Sequence, residues 1–172
     1  MPDVIRIKPH HFIDIVTAIG NGQTRFERHA YGHAVHTVAA AVKDHPDAVL
    51  EMELGIDDIC EPCRHHVGDE CDDTIDTSYR PEAPSSKMAW NLLIDRRWCE
   101  RLGLGQGDRL TVTDFCRALR TGMGSDISDI YREIPRERTA ERQRALERGV
   151  AHFLDAQGTR QPPADAPEGT GQ

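Results

Sequence analysis

The sequence predicts an α+β fold, predominantly helical, with helices packed around a small sheet and a cysteine-rich metal loop. Three observations carry that expectation. Apolar residues recur at helical spacing in six stretches. Only three short segments alternate or extend as strands do. Three of the five cysteines crowd between positions 60 and 71, where neither periodicity holds.

Length and composition set the frame. A chain of 172 residues suits one domain with a real core, expected over 1–156, with 157–172 a disordered tail. Hydrophobic content is 38% and aromatic content 5%, so the core is small and a metal is one way to complete it. A net charge of −8 argues against nucleic acid or an anionic membrane as partner. No stretch approaches the ~20 apolar residues of a membrane span, and Met1-Pro2-Asp3 opens no signal peptide. The expected location is cytoplasmic, where five cysteines make a disulfide framework improbable.

Val4-Ile5-Arg6-Ile7 is a strand stopped by Pro9. A first helix carries Phe12, Ile15, Val16 and Ile19 on one face and closes at Gly20 and Gly22. Pro9 fits its opening turn, where a missing N–H costs nothing. Ala30 to Asp44 predicts a second helix with Tyr31, Val35, Val38 and Val42 as its stripe. Leu50, Met52 and Leu54 alternate with Glu51 and Glu53 in a half-exposed strand that Gly55 breaks.

Residues 78–86 form an irregular connection rich in Pro and Ser. The next helix runs from Ser86 to Leu102, with Trp90, Ile94 and Trp98 inward and Gly103 as C-cap. Arg109 to Val112 is extended, and Thr113 is a good N-cap for a helix bearing Phe115, Cys116 and Leu119. Asp126 to Glu133 predicts a short helix. Pro135 to Ala156 predicts a long charged one with a thin stripe of Ala145, Val150, Phe153 and Leu154. Its arginines, from Arg136 to Arg148, read as a solvated face, with a protein-binding surface as the other use. Residues 158–172 are rich in Pro and Gly with no apolar anchor.

The metal loop is Asp57-Asp58-Ile59-Cys60-Glu61-Pro62-Cys63, continued to Cys71. Thiolates two residues apart can hold one ion, because the turn between them points both sulfurs inward while backbone amides donate to them. Pro62 stiffens that turn and Cys71 is within reach as a third ligand. A fourth must come from elsewhere: Cys116, near a helix start where the dipole favours a thiolate, or Cys99, His11, Asp14 or His65. Spacing alone does not separate zinc from iron–sulfur, since both the bacterial ferredoxin run and a second Cys-x-x-Cys are missing.

Around the loop, His10, His11 and Asp14 fall within about one helical turn, and His33 follows Tyr31 and Gly32. If these groups converge with Asp57 and Asp58, they supply histidine acids or bases with orienting carboxylates beside a metal. The plainer role for His10, Asp14, Asp57 and Asp58 is capping a helix or turn.

Lys8-Pro9-His10-His11-Phe12, the Asp57–Cys63 segment, Cys71 and the Leu102-Gly103-Leu104 turn with Gly107 resemble a bacterial and archaeal family of unknown function whose members are described as iron–sulfur-binding. Those members open with a basic residue and Pro-His-His, often with a cysteine shortly after, and carry a Gly-x-Asp-Asp-Ile/Val-Cys motif. This chain is similar to a branch in which aspartate, here Asp14, replaces that early cysteine; Tyr31-Gly32-His33 and Phe115-Cys116 look like features of the same branch. The likeness spans roughly residues 4–120.

It implies an iron–sulfur cluster, of the [4Fe–4S] type, held by Cys60, Cys63, Cys71 and Cys116, with Asp14 or a substrate as another ligand in place of Cys116. Zinc is the alternative. The expected function is a cluster-binding protein; as an enzyme it would do Lewis-acid or sulfur-transfer chemistry on a small molecule. There His10, His11 and His33 would carry protons while Asp14, Asp57 and Asp58 orient them. A zinc-stapled binding module and a redox or iron sensor are the other readings.

Overall fold

A computed structural model describes residues 4–158; the expected disordered tail falls almost wholly outside them. Among the described residues, five helices and a three-stranded sheet give the α+β, helix-dominated fold that the sequence predicts. The chain begins with β1 (Val4–Ile7) and α1 (Pro9–Gly20), then α2 (Val35–Asp44) and β2 (Val49–Met52). β3 (His66–Val67) and β4 (Glu70–Cys71) form a separate hairpin. They are followed by α3 (Lys87–Leu102), β5 (Arg109–Thr111), α4 (Val112–Gly122) and α5 (Arg136–Gly158).

The sheet order β1-β2-β5 puts β2 in the centre, parallel to β1 and antiparallel to β5. Ile5 pairs with Leu50 and Ile7 with Met52, so one face of both strands is apolar and closed to solvent. The parallel pairing has a consequence for the site. The C-terminal ends of β1 and β2 lie side by side, so the start of α1 and the loop after β2 emerge next to each other, the usual place for a site in such sheets.

The helix signals are mostly where the sequence puts them. Pro9 opens α1, Ser86 Oγ accepts from the Ala89 amide to cap α3, and Gly103 ends α3 in the left-handed conformation at φ 67°. Three boundaries move. The second helix starts at Val35, not Ala30, because Gly32 sits at φ 79° and the Tyr31–Ala34 backbone bonds instead to the cysteine loop. The cap of α4 is Thr111, whose side chain accepts from the Asp114 amide. The short helix expected over 126–133 is a chain of turns: Asp126 captures the Ser128 amide, and Ile130 and Ile134 bond three residues back. The β3–β4 hairpin lies in a stretch where the sequence carries no strand pattern.

The charged helix α5 is not a free face. Gly149 comes so close to α1 that a Cβ there would lie 2.0 Å from the Val16 carbonyl oxygen, and Gly20 makes the reciprocal approach to Ala145 at 1.8 Å. Ala145, Leu146, Val150 and Phe153 are buried. The arginines are engaged as well: Arg148 donates to the Gly20 carbonyl, Arg142 pairs with Asp14, and Arg136 reaches Asp126. Phe12 stacks on Phe115 at 4.3 Å, joining α1 to α4 across the centre of the core.

Candidate functional site

The site grows from Asp57, which is fully buried. Its Oδ2 accepts from the Lys8 amide at 2.9 Å and from His11 Nδ1 at 2.7 Å, and its Oδ1 accepts from the Cys60 amide at 2.9 Å. One carboxylate thus ties the end of β1, the first turn of α1 and the first thiol of the loop. Burial by itself would raise its pKa; the His11 imidazole and the Lys8 amide and ammonium reverse that and hold it well below the ordinary carboxylate range. An ionised Asp57 makes Nδ1 of His11 the protonated nitrogen and leaves Nε2 as the one open to exchange.

Asp58 serves the scaffold. It accepts from the Arg6 amide and pairs with the Arg6 guanidinium at 3.1 Å. Its own amide donates to the Arg6 carbonyl, so the Asp-Asp pair clamps β1 with one residue and builds the site with the other.

Cys60, Cys63 and Cys71 line one cavity of about 340 Å³, within the roughly 300–1,000 Å³ of small-ligand sites. The hairpin delivers the third thiol: Gly68 turns at φ 63° and sets Cys71 opposite His66, folding it back toward the Cys-x-x-Cys turn. Lys8, His11, His33, His65 and Lys87 line the same cavity. Lys8 Nζ donates to Cys60 Sγ at 3.4 Å. Burial, and then the Asp57 carboxylate, push the Cys60 thiol up to about 12.

The Tyr31-Gly32-His33 turn is fastened over the loop. Arg64 donates its amide to the Tyr31 carbonyl and Ala34 donates to that of Ile59. Gly32 passes the Pro62 carbonyl where a Cβ would stand 3.3 Å away. His33 stacks on His29 at 4.1 Å, and its buried Nδ1 has no partner among the described residues. Burial first, then His29 and His11, lower its pKa.

The remaining predicted residues divide: Asp14 and His65 also line the cavity, and Cys116, Cys99 and His10 do not. Cys116 is fully buried among the apolar side chains of the core, its thiol pushed up to about 12 by burial alone, and it does not line the cavity. It sits a full turn inside α4, too deep for the helix-start argument. Cys99 is likewise buried, at about 11. His10 turns to the other side of α1, where its amide and Nδ1 meet Asp95 Oδ1 and Oδ2 at 2.7 and 2.8 Å. Asp14 pairs with Arg142, which overcomes partial burial and lowers its pKa. His65, one of the candidate fourth ligands, lines the cavity and bonds Asp72 at 2.7 Å.

Sequence reasoning missed Asp95, Lys8 and Lys87. Asp95 had a signal: it stands three residues before Trp98 on the inward face of α3, a charged residue at a core position. Lys8 and Lys87 had none, since only the fold shows where a lysine stem ends.

Among the described residues, the set of three potential metal ligands within 4.8 Å of one another is His11, Asp57 and Cys60. Both oxygens of Asp57 are already taken by N–H donors, so it is better placed to orient His11 than to ligate. No family model, curated protein or solved structure matches the chain. No helix among the described residues is long and apolar enough to cross a membrane.

Proposed function

We propose that the cavity holds an iron–sulfur cluster on Cys60, Cys63 and Cys71, and that the protein uses one cysteine-free iron to bind a small molecule. The observation that carries this reading is the convergence of the three loop thiols on one cavity. Among the described residues the set of three potential ligands within 4.8 Å holds only Cys60 of these thiols. Thiolate clusters are anionic, and Lys8 brings compensating charge to the cavity wall, while Lys87 there is paired with Asp73. The resemblance of the Pro-His-His and Asp-Asp-Ile-Cys segments to an iron–sulfur-binding family supports the same choice of group.

Such a cluster supplies a Lewis-acidic iron. The chain supplies the rest. His11, held by Asp57 through Nδ1, presents Nε2 as the acid or base. Lys8 offsets the charge on Cys60, and the Tyr31-Gly32-His33 turn encloses the cavity on one side. A second reading, a lone ion on His11 and Cys60, draws on their closeness.

Anaerobic reconstitution of Cys71→Ser separates the two. The cluster reading expects loss of visible absorption and of iron binding. Full metal binding by this variant would overturn it in favour of the lone ion.

A further inference from the structure

A second cavity, of about 220 Å³, lies on the far side of α1 and shares Asp14 and Asn91 with the thiol-lined one. His10, Tyr79, Arg80, Trp90, Tyr131 and Arg142 line it. In a chain of net charge −8, two arginines and a histidine on one small cavity stand out.

Their arrangement is that of a receptor. Arg80 lies over the rings of Tyr79 and Trp90, both at 4.9 Å, and Arg142 over that of Tyr131 at 4.8 Å. Ring stacking fixes a guanidinium by its face and leaves the N–H edges available. Arg80 spends Nε on the Asp76 carbonyl, and its terminal nitrogens have no hydrogen bond among the described residues. Arg142 gives one terminal nitrogen to Asp14, while its buried Nε has no partner among the described residues. His10, with Nδ1 taken by Asp95, has only Nε2 left to offer. Asp14 is paired with Arg142 and Asp95 with His10, so Arg80 has no carboxylate partner among the residues lining the cavity, and Asp76 acts on it from outside.

We infer that this cavity binds the carboxylate of a small organic acid, between the edge of Arg80 and Nε2 of His10, while the rest of the molecule passes Asp14 and Asn91 into the thiol-lined cavity. The carboxylate is preferred to a phosphate because a planar anion matches a guanidinium edge in a walled slot. The inference deepens the function proposed above by naming the substrate class, but anion binding itself requires no iron.

The test is succinate binding by calorimetry, on the full-length chain as purified and again after anaerobic reconstitution. Saturable binding is expected in both, weakened at least tenfold by Arg80→Gln and unchanged by Arg120→Gln on the exposed face of α4. Arg142→Gln is the poorer probe because it also cuts the tie between α1 and α5. No saturable binding, equal binding by Arg80→Gln with an unchanged circular dichroism spectrum, or binding of inorganic phosphate without succinate would each overturn the assignment. Succinate binding to a protein that takes up no iron would keep this subsite and remove the cluster.

Discussion

Lys8 Nζ stands 3.4 Å from Cys60 Sγ, on a lysine that is only 3% exposed. An ammonium kept this far from water is matched best by an anion, and Cys60 would become one on releasing its proton to ligate the proposed cluster. Lys8→Met should therefore weaken cluster retention by about 10–100-fold, the usual scale for a residue that supports a ligand. Chelator-driven bleaching of the reconstituted protein measures it; equal bleaching rates would show that Lys8 does not act on the ligand.

Asp57→Asn keeps the shape but replaces one acceptor oxygen with an NH2 group that must face N–H donors from Lys8, His11 or Cys60. Losing charge-assisted bonds at a fully buried position should cost about 3 kcal/mol, read from urea unfolding. A cost below about 1 kcal/mol would mean that the loop is held without it.

Cys116 is a packing residue in this structure. Cys116→Ala should leave iron content unchanged while lowering stability by about 1–2 kcal/mol, the cost of a small cavity. Loss of iron in a folded Cys116→Ala protein would restore it as a ligand.

Gly149→Ala tests the α1–α5 crossing. On an exposed helix the change would stabilise by about 1 kcal/mol. Here the new Cβ would fall 2.0 Å from the Val16 carbonyl, so the sign reverses. A loss of about 3 kcal/mol is expected, visible as a lower Tm; a rise in Tm would place the helices farther apart.

His10 makes stability depend on pH. Burial alone would lower its pKa, but the Asp95 carboxylate outweighs burial and raises it, with Asp14 adding and Lys8 opposing. A raised folded-state pKa means that the added stability is complete below about pH 6.5 and is lost as pH climbs through the folded value. The native protein's advantage over His10→Gln should shrink between about pH 6 and pH 9. An advantage that grows over that range would contradict the Asp95 pairing.

Much of this was legible in the residues. Period-two alternation at Val4–Ile7 and helical spacing at Phe12, Ile15 and Val16 identify the first strand and helix, because burial on one face leaves that imprint. Ser86 and Gly103 mark α3 through capping chemistry. The grouping of Cys60, Cys63 and Cys71 was legible too, because the loop is short; that His11 and His33 join them was not, since it depends on the pairing of β1 with β2 and on the Tyr31–Ala34 turn fastened to the loop. The partition of His10 from His11 was not: adjacent residues on a helix differ by about 100°, and only the position of α3 decides which one meets Asp95. The role of α5 was also hidden, since its contact with α1 rests on Gly149 and Gly20, which add nothing to an apolar stripe.

Iron and acid-labile sulfide per chain, measured on anaerobically purified protein, test the central claim most directly. The three-thiol cavity predicts about four iron and four sulfide per chain with broad visible absorption. Stoichiometric zinc with no iron, no sulfide and no visible absorption would contradict it.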